Sequence, residues 1–267
     1  MKPRISVNIL TWNSIGITLE AVHVLRNDLR KAGIEYEIIV VDNGSTDLTT
    51  EILLEAQQSD GNIVVISNKE NVGISKGKNQ GIDASRFEYI FMLDGDILPV
   101  PNSIICFLNV LETHPEVDIL GARWNKFTNQ RNANGQVHHL DYCDKVIHPI
   151  KERRAAIYYG LFRRYMFDEG LRLDEGGPFG EVGYGWEDHD FWELCQARGI
   201  ESWFVEMSKP GGLYYHNINS SIRAMGRQEY KRRIVLRDNY FKEKWAGKAA
   251  RDTWKPGDAR DDFPEMY

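Results

Sequence analysis

Cysteine is scarce in this sequence. Cys106, Cys143 and Cys195 are the three in 267 residues. They are far apart and form no C-x-x-C pair, which argues against a disulfide framework or a zinc knuckle and for a reducing, cytoplasmic setting. Long hydrophobic runs are lacking too. No stretch approaches the roughly 18–20 apolar residues a membrane helix needs, so no transmembrane segment is expected. The early apolar run, Ile5 to Leu10, is short and contains Ser6 and Asn8; it reads as a strand, not a signal peptide. There is no internal repeat, no low-complexity tract and no Pro/Ser-rich linker. An excess of positive charge is also missing: the net charge is −6, which gives nucleic acid or anionic lipid no global invitation. Hydrophobic residues at 42% and charged residues at 27% exclude disorder and fit a globular chain with a sizeable core.

What is present is an alternation of strand and helix signals. Ile5–Leu10 is β-rich and ends at Thr11-Trp12-Asn13. After Thr18, the apolar stripe Leu19, Val22, Leu25 and Leu29 has helical spacing and stops at Gly33. Glu37–Val41 is a nearly continuous apolar run, the mark of a strand buried on both faces. It ends in Asp42-Asn43-Gly44-Ser45-Thr46-Asp47, a turn with caps for a following helix. Further strands are predicted at 63–66, 88–93 and 117–122, and helices at 73–84 and from Pro101 to Leu111. Strands joined by single helices give an α/β fold with a mostly parallel central sheet flanked by helices. Ligands of such sheets bind outside the carboxyl ends of the strands. Thr11-Trp12-Asn13, Asp42-Asn43 and Asp94-Gly95-Asp96 all fall there.

The second half is less regular. Residues 124–150 read as a long loop or hairpin, 156–161 and 202–205 as strands, and the five-glycine stretch 176–185 as a loop. A helix is expected from Glu187-Asp188 to Ala197 and another over 223–245. The expected organisation is one domain over 1–247, in two halves (1–122 and 123–247), and a polar C-terminal tail over 248–267.

Four strings could carry chemistry. Asp94-Gly95-Asp96 closes a hydrophobic strand; two acids so spaced can share one hard cation such as Mg²⁺ or Mn²⁺, or be solvated acids of a surface turn. Asp42–Asp47 could accept from a base or ribose, or be only a helix cap. In Asn71–Gly81, Gly73 and Gly77 would let backbone approach a ligand, and Lys76 or Lys78 could meet a diphosphate or a base; the alternative is an amphipathic helix with solvated lysines. No Walker loop is present. In Gly183–Phe191, Tyr184 and Trp186 offer aromatic faces beside Glu187 and Asp188, which suits sugar stacking and hydroxyl deprotonation. Acids at a helix start also have their own stabilising reason. His216 could complete a metal site begun by a carboxylate, though a lone histidine is more often structural.

Taken together these strings resemble family 2 glycosyltransferases of the GT-A fold. The resemblance runs from Ile5 to about His216 and implies that the half over 1–122 binds the nucleotide sugar and the half over 123–247 the acceptor. Val40–Asp47 resembles VVDDGSTD, with Asn43 replacing the second acid. Asn71–Gly81 resembles NxGxxxARNxG, with Lys78 replacing the arginine. Tyr89–Asp96 resembles YIxFLDxD, and GYGWEDHDF resembles the GWGxED motif of galactosyl- and N-acetylgalactosaminyltransferases. The resemblance implies a metal-dependent, inverting transfer of a sugar from a nucleotide-diphosphate donor, UDP favoured, to an acceptor hydroxyl. Thr11, Asn13, Asp42, Asn71, Gly73, Lys78, Asp94 and Gly95 would bind the donor, with Asp42 and Lys78 at the base and Asp94 at the ribose or metal shell. Asp96 and His216 would hold Mn²⁺ or Mg²⁺. Asp188 would be the general base, with Tyr184, Trp186 and Glu187 binding the acceptor.

The acceptor is open between a glycan, a lipid-linked molecule and, as a minority reading, nucleic acid. Basic residues gather at 151–164 and at 223–244, where eight face three acids. They form a solvated helix face, a diphosphate clamp, or a contact with a membrane surface or nucleic-acid backbone. The location is then cytoplasmic or peripheral to a membrane. The rival functions are a nucleic-acid glycosyltransferase, a nucleotidyltransferase, which would need a Gly-rich basic signature after the first strand, and a non-catalytic sugar- or nucleotide-binding protein.

Overall fold

The computed structural model describes residues 2–122, 147–150, 157–176, 187–207 and 214–216, and single residues or pairs from 228 to 240 followed by 243–246. Four strands open the chain, β1 (Arg4–Thr11), β2 (Glu35–Asp42), β3 (Ile63–Ser67) and β4 (Tyr89–Asp94), separated by α1 (Ile15–Ala32), α2 (Thr49–Ser59) and α3 (Ile74–Ala84). There follow β5 (Ile97–Pro99), α4 (Ser103–Thr113), β6 (Ile119–Ala122), β7 (Ile147–Ile150), β8 (Tyr159–Arg163) and α5 (Tyr165–Asp168). The last are α6 (Glu187–Ala197), β9 (Ser202–Met207) and β10 (Tyr214–His216). Among the described residues, eight strands form one sheet in the order β3-β2-β1-β4-β8-β6-β9-β7, and β10 pairs with β5 in a second, two-stranded sheet. The large sheet is mixed: β1–β2, β1–β4, β2–β3 and β6–β9 are parallel, while β8 runs antiparallel to both β4 and β6, and β7 to β9.

Period-two alternation sends each central strand's side chains to two layers. In β4, Tyr89, Phe91 and Leu93 enter one core cluster with α1 and α4, while Ile90 and Met92 enter a second with α5 and α6. Phe91, Phe107 and Tyr159 meet edge to face in the first, with centroids 5.0–5.6 Å apart. Phe162, Phe167 and Phe191 gather in the second, and so fix α6 against β8. Helix α1 buries Thr18, Ala21, Val22, Leu25, Asp28 and Leu29 on one stripe. It stops at Gly33, whose φ of +62° lets its N–H and that of Ile34 turn back to Arg30 and Leu29 carbonyls.

Several boundaries differ from the sequence reading. Helix α1 starts at Ile15, since the Ser14 carbonyl already accepts the Thr18 N–H. Helix α4 starts at Ser103, not Pro101, because Asn102 turns left-handed (φ +68°) and donates its N–H to Asp28. The strand expected at 156–161 is Tyr159–Arg163, in register with β4 and β6. The helix expected at 187–197 is α6. Of the loop or hairpin expected at 124–150, residues 147–150 are strand β7; the rest of it, residues 177–185 of the loop expected at 176–185, Cys143, Tyr184, Trp186, Lys151, Arg153, Arg154 and the tail 248–267 lie outside the described residues. No helix of the described residues is long and apolar enough to cross a membrane.

Candidate functional site

Three adjacent parallel strands end level with one another. Thr11 is opposite Asp42 across β1–β2, and Leu10 is opposite Asp94 across β1–β4. With strands spaced about 4.8 Å, the backbones of Asp42 and Asp94 flank the end of β1 roughly 10 Å apart. The sequence therefore gathers its first three motifs on one rim.

On the β2 side, Asp42 is fully buried. Its Oδ1 accepts the Ser45 N–H at 3.1 Å and the Ser45 hydroxyl at 2.5 Å, and its Oδ2 accepts the Thr50 hydroxyl. The carboxylate thus shapes the turn it begins. Asn13 takes a left-handed φ of +51°, tolerated by its short polar side chain. Its Oδ1 accepts the Thr46 N–H at 2.8 Å, and its own N–H donates to Ser45 Oγ at 2.9 Å, joining the ends of β1 and β2. Asn43 Nδ2 donates to Asn71 Oδ1 at 3.0 Å and to the Gly73 carbonyl at 3.1 Å, while its Oδ1 accepts the Val72 N–H at 3.0 Å. Asn71 Oδ1 also accepts the Gly73 N–H at 3.0 Å. Gly73, at φ +89°, leads the chain into α3.

On the β4 side, Gly95 lies so close to β1 that an added Cβ would come within 2.7 Å of the Thr11 Cα and side chain. Its N–H donates to the Leu10 carbonyl at 2.7 Å, and its carbonyl accepts the Thr18 hydroxyl at 3.0 Å. Thr18 Oγ1 is also 2.8 Å from Thr11 Oγ1. Lys78, on α3, is 4% exposed and ion-paired at 2.5 Å with Asp94 Oδ1, whose side chain is 34% exposed; its Nζ also donates to the Ile157 carbonyl at 3.0 Å. Asp96 is half-buried. The strand that follows it, β5, pairs with β10 so that His216 is opposite Ile97. The backbones of Asp96 and His216 are therefore neighbours, although 120 residues of sequence separate them. Among the described residues, no group of three or more His, Cys, Asp or Glu side chains could hold a metal ion.

Glu187 and Asp188 begin α6. Asp188 Oδ1 accepts the His189 N–H at 2.8 Å and meets His189 Nδ1 at 2.9 Å. Burial pushes the Asp188 carboxyl up, but the charge and hydrogen bonds of His189 outweigh it and hold the carboxyl below the usual range, so it is ionised at neutral pH. One turn on, burial pushes Glu193 up to about 6. The sequence reading missed the groups that anchor these elements: Asn79 on α3, Asp174, Asp190, Lys244 and Trp245. Asp190 belonged to a visible acidic helix start; nothing local marked its partners 54 and 55 residues further on.

A mixed, mostly parallel sheet with flanking helices and this acidic rim define, with the comparisons, a glycosyltransferase of the GT-A fold. The chain belongs to glycosyl transferase family 2, whose model matches residues 6–174. It is 30% identical over 248 residues to an uncharacterized glycosyltransferase of Haemophilus influenzae, covering 85% of this chain and 73% of that one. It is 26% identical over 218 residues to the uncharacterized glycosyltransferase MJ1057 of Methanocaldococcus jannaschii, covering 77% and 69%. Among solved structures it is similar to S. aureus TarS 1-349 in complex with UDP-GlcNAc, at a TM-score of 0.57 and 20% identity. That likeness concerns the fold, and it covers 79% of this chain and 58% of that one.

Proposed function

We propose that this glycosyltransferase moves a sugar from a UDP-sugar to an acceptor hydroxyl with inversion, using Mn²⁺ or Mg²⁺. One arrangement carries the reading: the level ends of β1, β2 and β4, with β10 paired beside the Asp94-Gly95-Asp96 turn. UDP-GlcNAc, bound by the related fold, is the donor to try first.

The residues suit a hard divalent cation. Mg²⁺-type ions are commonly held by one or two carboxylates plus substrate phosphates rather than by an all-protein cage. Asp96 would hold the ion, with His216 as second ligand and Asp94, neutralised on one oxygen by Lys78, at its border. When bound, the ion supplies positive charge to the leaving diphosphate. Asp42 and the loop it fastens would receive the base, with Asn13, Asn71 and Gly73 lining the same rim. Lys78 keeps Asp94 aligned and adds positive charge on the donor side. Asp188 accepts the acceptor's proton as the hydroxyl oxygen bonds to the anomeric carbon and the bond from that carbon to the diphosphate oxygen breaks, in line and on the opposite face. Glu187, with Tyr184 and Trp186, would orient the acceptor.

The test is UDP-GlcNAc binding and hydrolysis, with and without Mn²⁺, for the wild type, Asp96→Ala and Asp188→Asn. We expect Mn²⁺-dependent binding that Asp96→Ala abolishes, and hydrolysis that Asp188→Asn lowers at least a hundredfold with donor affinity kept. Binding indifferent to Mn²⁺ and to residue 96 would refute the metal site. Full turnover in Asp188→Asn would refute the base.

A further inference from the structure

Beyond the family match, which ends at residue 174, a short C-terminal stretch reaches back into the fold. Lys244 Nζ sits 2.6 Å from Asp174 Oδ2 and 2.7 Å from Asp190 Oδ1, so one ammonium serves two carboxylates. Trp245 donates its indole N–H to Asp190 Oδ1 at 2.8 Å, and Tyr240 its hydroxyl to Asp174 at 2.9 Å. Asp190 is 1% exposed and Trp245 is buried.

The residues on either side of Asp174 are in turn held by α3. Asn79, next to Lys78 on α3, donates to the Leu173 carbonyl at 2.9 Å and accepts the Leu173 N–H at 3.0 Å, and it donates to Glu175 at 2.7 Å. Residues 173–175 thus form a strut with α3 on one side and Lys244 on the other, and Lys244 passes the connection to α6.

Helix geometry gives this contact its consequence. Asp190 follows Asp188 by two residues, about 200° around the helix. Fixing Asp190 inward therefore turns Asp188 to nearly the opposite side. Asp190 is buried and Lys244 half-buried; an ion pair so placed is a weak source of net stability, but removing Lys244 strands the buried charge of Asp190.

We propose that Lys244, seated between Asp174 and Asp190 and backed by Trp245, is a positioning residue that sets the rotation of α6 and hence the direction of Asp188 relative to the donor half. The proposal rests on Asp188 as the base.

The experiment compares the full chain with Lys244→Met, Lys244→Arg, Trp245→Phe and Asp188→Asn. It measures UDP affinity by calorimetry with Mn²⁺, UDP-GlcNAc hydrolysis, and hydrogen exchange at the amides of residues 191–194, the first bonded within α6. In Lys244→Met we expect kcat to fall at least tenfold with the donor KM and UDP affinity within twofold of wild type, and exchange at 191–194 to quicken. Lys244→Arg restores most of both, since a guanidinium can still span two carboxylates. Trp245→Phe keeps an aromatic ring at the site but removes the pyrrole part of the indole with its N–H bond to Asp190, so it gives a smaller change of the same kind and stands in if Lys244→Met does not fold. Unchanged exchange, an unchanged kcat, or a loss of UDP affinity in step with kcat would overturn the proposal. Full hydrolysis in Asp188→Asn overturns the base assignment instead, so the two failures are read on different variants.

Discussion

Lys78 Nζ lies 2.5 Å from Asp94 Oδ1, a buried cation on α3 meeting the first acid of the turn that ends β4. The pair links two motifs 16 residues apart. One Asp94 oxygen is thus engaged by the Lys78 ammonium, in keeping with the place our proposal gives Asp94, at the border of the metal site.

Lys78→Met should therefore lower UDP affinity in the presence of Mn²⁺ about tenfold, the scale of one lost charge-assisted hydrogen bond. Calorimetry reads this directly. Equal affinity in wild type and variant would remove Lys78 from the donor site.

Asn43 stands where the family motif has an acid, and its hydrogen bonds give the reason. Its amide donates to two oxygens, Asn71 Oδ1 and the Gly73 carbonyl. A carboxylate there would face both with nothing to donate, and Asn71 could not turn to help without releasing the Gly73 N–H. Asn43→Asp should destabilise the fold by about 2–3 kcal/mol, measured by urea unfolding. A stability equal to wild type would contradict this role.

Glu193 yields a pH dependence. Burial raises its pKa to about 6, with His189 lowering it and Asp190 raising it. The folded state therefore holds this proton more tightly than the unfolded chain. The associated stability is fully present below the unfolded value of 4.5 and is lost as pH rises through about 6. Glu193→Gln should raise Tm at pH 7.5, with the gain fading toward pH 4.5, in a thermal-unfolding series. A gain independent of pH would point to packing alone.

Much of the N-terminal half was legible from local pattern. The runs ending at Asp42 and Asp94 are strands because nearly continuous apolar sequence suits strands covered on both faces, the run ending at Thr11 is a β-rich one that Ser6 and Asn8 interrupt, and the polar residues at all three ends fall where such a sheet leaves its rim open. Less of the second half was legible. Strand β8 enters between β4 and β6 and runs against both, a choice made by long-range pairing that no window of sequence contains. The three-residue strands β5 and β10 are too short to carry a period, and their pairing rests on contact across the fold. The ties of Asn79 to Leu173 and of Lys244 to Asp190 have the same origin. At each end the sequence offers only an ordinary residue.

The Asp94-Gly95-Asp96 turn is fastened to its neighbours at Gly95 by uncharged groups, the Leu10 carbonyl on one side and the Thr18 hydroxyl on the other. Ionic strength has little hold on such a fastening, because mobile ions screen charges and not neutral dipoles at contact distance. Adding salt should thus leave the Gly95 part of the turn in shape while it weakens the attraction of the charged donor proposed to bind there.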